Sequence, residues 1–114
     1  MEDLNIVAIT GRVTRDTECR FTNGGTATAT FSVANNRRRK VNNEWQDDTS
    51  FFDVQLWGKT AEALAPKLQK GTQVSVQGTL RQDRWEAEGQ ARTRVVIVAD
   101  KVILAPTKGD SYGF

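Results

Sequence analysis

Three aromatic side chains fall on strand positions that otherwise carry polar groups. In FFDVQLW (51–57), Phe52, Val54 and Leu56 share one parity, while Phe51, Asp53, Gln55 and Trp57 share the other. The first set reads as a core stripe. The second is a polar face with a flat ring at each end, roughly 20 Å apart at strand rise. In QVSVQGTLRQDRW (73–85), Val74, Val76, Gly78 and Leu80 make the core parity, and Ser75, Gln77, Thr79, Arg81 and Trp85 the opposite one. Trp85 is thus a third ring on a polar face, beside Arg81; a bulge just before it would exchange it with Arg84. A single ring at a strand end usually serves as a lid on the core. Three on polar parity, with cations among them, point instead to stacking. Every nucleobase offers a π face, each stacked base contributes roughly 1–3 kcal/mol, and cations track the phosphates between bases.

The cations are concentrated in two limbs. VANNRRRKVNNEWQDDTS reads as a long, mobile hairpin loop in which Arg37, Arg38, Arg39 and Lys40 follow one another, and Glu44, Asp47 and Asp48 return three charges. It is either a solvated, self-compensated loop or an arm whose basic limb closes over a phosphate backbone. Trp45, inside it, either packs on its own loop or stacks on a base. RQDRWEAEGQARTR (81–94) is a second limb of mixed sign, with its turn expected near Glu88–Gly89. Two such arms would wall a groove whose floor holds Phe51 and Trp57.

The inventory argues against most other chemistry. With 16 Lys and Arg against 14 Asp and Glu, the net charge is only +2, so placement rather than total charge carries the nucleic-acid argument. There is no histidine, and Cys19 is the single cysteine. A zinc site, an intrachain disulfide and a histidine base are therefore excluded, and Cys19 reads as a small apolar side chain in a reducing compartment. A metal-dependent nuclease would need clustered carboxylates in a rigid cage. Asp47 and Asp48 sit in the expected loop, leaving Asp53 alone. No catalytic residue, metal or cofactor is expected. MEDLNIVAIT has no basic region before its short apolar run, so neither a secretory leader nor a membrane span is expected.

The elements that must hold these residues are mostly strands. At 114 residues a single domain is expected. Strands are predicted over 4–13, 25–34, 51–57, 73–85 and 92–104, with NGG (23–25) as a tight turn. KTAEALAPKLQKG (59–71) reads as a helix between the third and fourth strands, capped by Thr60 and ended by Gly71. Pro66 makes it short or kinked. Gly11 and Gly78, inside strand patterns, suggest the bulges or sharp bends that a small barrel needs. The result is an all-β chain with one short helix, a five-stranded Greek-key barrel of the OB-fold type with long protruding hairpins. Strand one is apolar on both sides, with Ile6 and Ala8 opposite Val7, Ile9 and Val13. A barrel covers one side only. The other is left for the helix, a loop or, as the favoured reading, a second subunit along Ile6 and Ala8.

LNIVAITGRVTRD, the NGG turn with its Thr/Ala-rich strand, FFDVQLWGKTAE and KGTQVSVQGTL with a following Trp together resemble the bacterial-type single-stranded DNA-binding proteins over about Leu4 to Ala105. The ordered pair GKTAE (58–62) and KGTQVSVQGTL (70–80) is the most specific part. The resemblance implies a non-catalytic OB-fold domain over 1–105, followed by a tail, 106–114. It further implies a homotetramer that coats single-stranded DNA with little sequence preference in replication, recombination and repair, in the cytoplasm at the nucleoid. Family stacking aromatics match Phe51, Trp57 and Trp85; basic positions match Lys59, Lys70, Arg81 and Arg84. Arg39 stands where many members carry a Trp, an exchange of stacking for charge. Partner recruitment in the family runs through an acidic tip, of which PTKGDSYGF keeps Asp110 and Phe114. A dimeric primosome-type accessory protein and an RNA-binding OB module are the alternatives within the fold.

Overall fold

A computed structural model describes residues 1–105. The tail 106–114, with Asp110 and Phe114, lies outside the described residues. In chain order the elements are β1 (Val7–Val13), β2 (Glu18–Phe21), β3 (Ala27–Val41), β4 (Glu44–Trp57), α1 (Gly58–Leu64), a 3-10 turn (Ala65–Lys67), β5 (Gln73–Ala87) and β6 (Gln90–Leu104). The strand order is β1-β5-β6-β4-β3-β2, and β1 also pairs with β3. That last pairing, Arg12 with Ala34 and Val13 with Val33, closes five strands into a barrel and leaves β2 appended to β3. The closed barrel is the OB-fold expected above.

Alternation builds the interior. Val13, Phe31, Val33, Val54, Leu56, Val74, Val76 and Ile97 are all buried, each from the inward parity of its strand. Burying a ring such as that of Phe31 contributes on the order of 1.5–3 kcal/mol. Ala61, Ala65 and Leu68 cover the barrel end below β3 and β4. The helix that carries Ala61 is shorter than predicted. It begins at Gly58, so Thr60 lies inside it and is not its cap. Pro66 falls at the start of the 3-10 turn, where a missing N–H costs nothing. The chain then turns at Gly71, whose N–H donates to the Val13 carbonyl at 2.7 Å.

Gly11 and Gly78 mark the corners. A Cβ on Gly11 would overlap the Ala34 carbonyl oxygen, and one on Gly78 the Val98 carbonyl oxygen. Gly78 lies where the β5–β6 register shifts, Gln77 pairing with Lys101 but Gly78 with Ala99. The extra residue, Asp100, is on β6, so the parity of β5 runs unbroken to Trp85.

Three expectations are corrected. β2 was missed: ECRF is short and shows no clean alternation, and it forms a strand only because β3 offers Ala27 to Thr30 as a template. The segment around the basic run is an ordered ribbon and not a loop. β3 and β4 pair without interruption from Thr28–Trp57 to Val41–Glu44, across a two-residue turn at Asn42 and Asn43, both with positive φ. Phe52 and Leu80 have inward parity but are exposed, because they sit just past the last pairings that close the barrel, Val54–Ile97 and Val7–Gly78.

Candidate nucleic-acid interface

Outward parities of five neighbouring strands line up as one surface. From β3 come Thr28, Thr30 and Ser32; from β4, Phe51, Asp53, Gln55 and Trp57; from β6, Arg92 and Arg94; from β5, Arg81, Asp83 and Trp85. β2 extends it through Glu18 and Arg20. A groove of about 560 Å³ crosses this surface between β2 and β6, lined by Arg15, Arg20, Thr30, Ser32, Asp53 and Arg94 among others. The rings stay open to solvent: Phe51 is 66% exposed, Trp57 40%, Trp85 44% and Trp45 60%. None of the four is enclosed in the core.

The uninterrupted β3–β4 register sorts the basic run by face. Asn36, Arg38 and Lys40, with their partners Thr49, Asp47 and Trp45, continue the face of Phe51 and Trp57. Arg37 and Arg39 lie on the reverse. Trp45 is flanked by cations on its own face, Arg38 at 5.6 Å and Lys40 at 6.0 Å from the ring centre. It therefore packs on its own arm while keeping an exposed side. Arg37 faces Asp48 at 3.7 Å and Arg38 faces Asp47 at 3.8 Å. Both pairs are solvent-exposed and weak. On the second arm, Glu88 and Gly89 form a two-residue turn with both φ positive, at the predicted place. It sets Arg92 opposite Trp85 on the groove face and Arg84 opposite Thr93 on the reverse. The bulge that would have exchanged Arg84 with Trp85 is absent from β5.

The floor between the rings is a connected polar chain. The Trp57 indole N–H donates to Gln55 Oε1 at 3.2 Å, and Arg81 Nη2 donates to the same oxygen. Arg81 Nε donates to Asp83 Oδ1 at 2.9 Å. Arg94 then bridges the two carboxylates, Nε to Asp83 at 3.8 Å and Nη1 to Asp53 at 3.9 Å. Arg92 and Arg94 were not singled out from the sequence. Arg92 has no carboxylate partner among the described residues. Lys59, in the first turn of α1 next to Trp57, and Lys70 are exposed. The Lys70 backbone N–H donates to Asp16 Oδ1 at 2.9 Å, which places it below the β2 end of the groove. Among the described residues no His, Cys, Asp and Glu group could hold a metal ion.

The single-strand binding protein family profile matches residues 4–105. The chain belongs to that family. A single-stranded DNA-binding protein of Treponema pallidum is 50% identical over 104 residues, covering 91% of this chain and 59% of its own length. One from Borreliella burgdorferi is 42% identical over 104 residues, covering 90% and 70%. This single-strand binding family member thus spans about three-fifths of the Treponema relative. Among solved structures, a Plasmodium falciparum SSB complex with ssDNA superposes with a TM-score of 0.83 at 28% identity, covering 93% of this chain and 98% of that one. A Thermus aquaticus single-stranded DNA-binding protein gives 0.82 at 26%, covering 93% and 52%.

On its other side the barrel carries a second surface. Ile6, Ala8 and Thr10 of the β1 side, Ser75 and Gln77 of β5, and Lys101 and Ile103 of β6 point away from the core. Ile6 and Ile103 are more than half exposed. Thr10 and Ser75 hydroxyls share a hydrogen bond of 2.8 Å across this face. No helix among the described residues covers it, and none is long and apolar enough to cross a membrane.

Proposed function

We propose that this chain binds single-stranded DNA without sequence preference and without catalysis. The observation that carries the reading is the row of solvent-open rings Phe51, Trp57 and Trp85 on one continuous face, with cations at its rim. Bases stack on the rings. Phosphates run past Arg38 and Lys40 of the first arm, Lys59 beside Trp57, and Arg92 of the second. Arg81 faces the same groove from its floor, Lys70 reaches the strand near the β2 end, and Arg37, Arg39 and Arg84 meet it only where it rounds an arm. Single-stranded DNA in the names of the two relatives and in the Plasmodium complex supports the same ligand. The protein acts in the cytoplasm at the nucleoid, in replication, recombination and repair.

The domain is 1–105, with 106–114 as a tail. It assembles as a homotetramer, for which the apolar Ile6–Ala8 face is the first contact. An exposed strand that is apolar on its outer side is a natural partner for the same strand of a second copy.

The test is a titration of intrinsic Trp fluorescence with poly(dT) at two salt concentrations. Quenching is expected, with log affinity falling against log salt by about 0.7 per phosphate contacted. A flat titration of folded protein at low salt rejects the proposal.

A further inference from the structure

We propose that Asp83 is an internal competitor for the phosphate backbone, holding Arg81 and Arg94 in a neutral network that the DNA strand must displace. The inference rests on the single-strand reading above and goes beyond it. Asp83 is the hub of the groove floor: one carboxylate oxygen takes Arg81 Nε at 2.9 Å, the other faces Arg94 Nε at 3.8 Å. Its side chain is 27% exposed, the least of any carboxylate paired with an arginine among the described residues. Arg81 is also tied to Gln55, which receives the Trp57 indole N–H, so the network joins the stacking ring to the second arm. Asp53 supplies the second negative charge at the Arg94 end.

Two arginines and two carboxylates leave the floor without net charge, while Arg92 on the same strand stays free of carboxylates among the described residues. A phosphate approaching Arg81 must break a short charge-assisted hydrogen bond and approach an uncompensated carboxylate. The pairs of the first arm impose no such barrier: their arginine side chains are 70% exposed at 3.7 and 3.8 Å from the carboxylates, against a 2.9 Å hydrogen bond at the less exposed Arg81–Asp83 pair. Asp83 therefore lowers both the affinity and the number of phosphates neutralised. Acting through the arginines, it is a positioning residue.

The experiment compares wild type with Asp83→Asn by poly(dT) titration across a salt series. Asn keeps the shape and removes the charge. Binding is expected to tighten roughly two- to fivefold at low salt. The slope of log affinity against log salt should steepen by about 0.7 as Arg81, left without a carboxylate partner, engages a phosphate. Asp53→Asn, which removes one of the two carboxylates facing Arg94, should tighten binding and steepen the slope in the same direction by less, and serves as the readout if Asp83→Asn melts early. Wild type that binds while both variants bind no tighter, with an unchanged slope, overturns the inference and leaves the single-strand reading standing. Wild type that gives no quenching overturns that reading, and the inference with it.

Discussion

At the scale of single residues, the groove depends on rings that burial does not need. Trp57 keeps its indole N–H on Gln55 and a face toward solvent, and its removal opens no core cavity. Trp57→Ala is expected to weaken oligo(dT) binding by roughly 1–3 kcal/mol while leaving the thermal midpoint close to wild type. A large drop in melting temperature would place the ring in the core and contradict the assignment. Trp45 differs because Arg38 and Lys40 already lie against it. A Trp45→Phe variant should therefore quench with poly(dT) almost as strongly as wild type in a fluorescence titration.

At the scale of elements, the arms are ribbons whose register assigns each charge to a side. A two-residue turn at Asn42–Asn43 pairs Lys40 with Trp45, and one at Glu88–Gly89 pairs Trp85 with Arg92. Those partners can be counted outward from a turn once its two residues are known. The Glu88–Gly89 turn was legible, and Arg92 was within reach of the same counting. The Asn42–Asn43 turn was not, because the polar, charged run around it lacks the alternation that marks a strand. The ladder with β4 supplies that order from outside the run. The double variant Arg38→Ala with Lys40→Ala should flatten the salt slope by about 1.4. Arg37→Ala with Arg39→Ala should change it much less, on the same titrations. Gly78→Ala tests the corner: its Cβ has no room beside the Val98 carbonyl, and a loss of about 1–3 kcal/mol is expected in urea unfolding.

At the scale of the whole molecule, closure of the barrel turns its outward-facing residues toward two different sides. One holds the rings and the polar chain; the other holds Ile6, Ala8 and Ile103. Placing Asp at both Ile6 and Ala8 is expected to shift the assembly to smaller species in analytical ultracentrifugation, with circular dichroism unchanged. Larger species that persist would move the subunit contact elsewhere. The OB-fold itself was readable because five strand patterns, a helix between the third and fourth and two interior glycines admit few closures. β2 was not, since a four-residue strand draws its order from β3 and not from its own pattern.

The sequence by itself determined which residues alternate: Phe51 and Trp57 take the polar parity from a period of two, while Trp85 keeps it only because the β5–β6 irregularity falls on β6. Only the tertiary structure decided which charges are free. Arg81 reaches Gln55 only because β5 and β4 flank β6, and Arg94 joins Asp83 to Asp53 because β6 lies between those two strands. Coulomb interactions depend on distance through space, and distance along the chain does not reveal it.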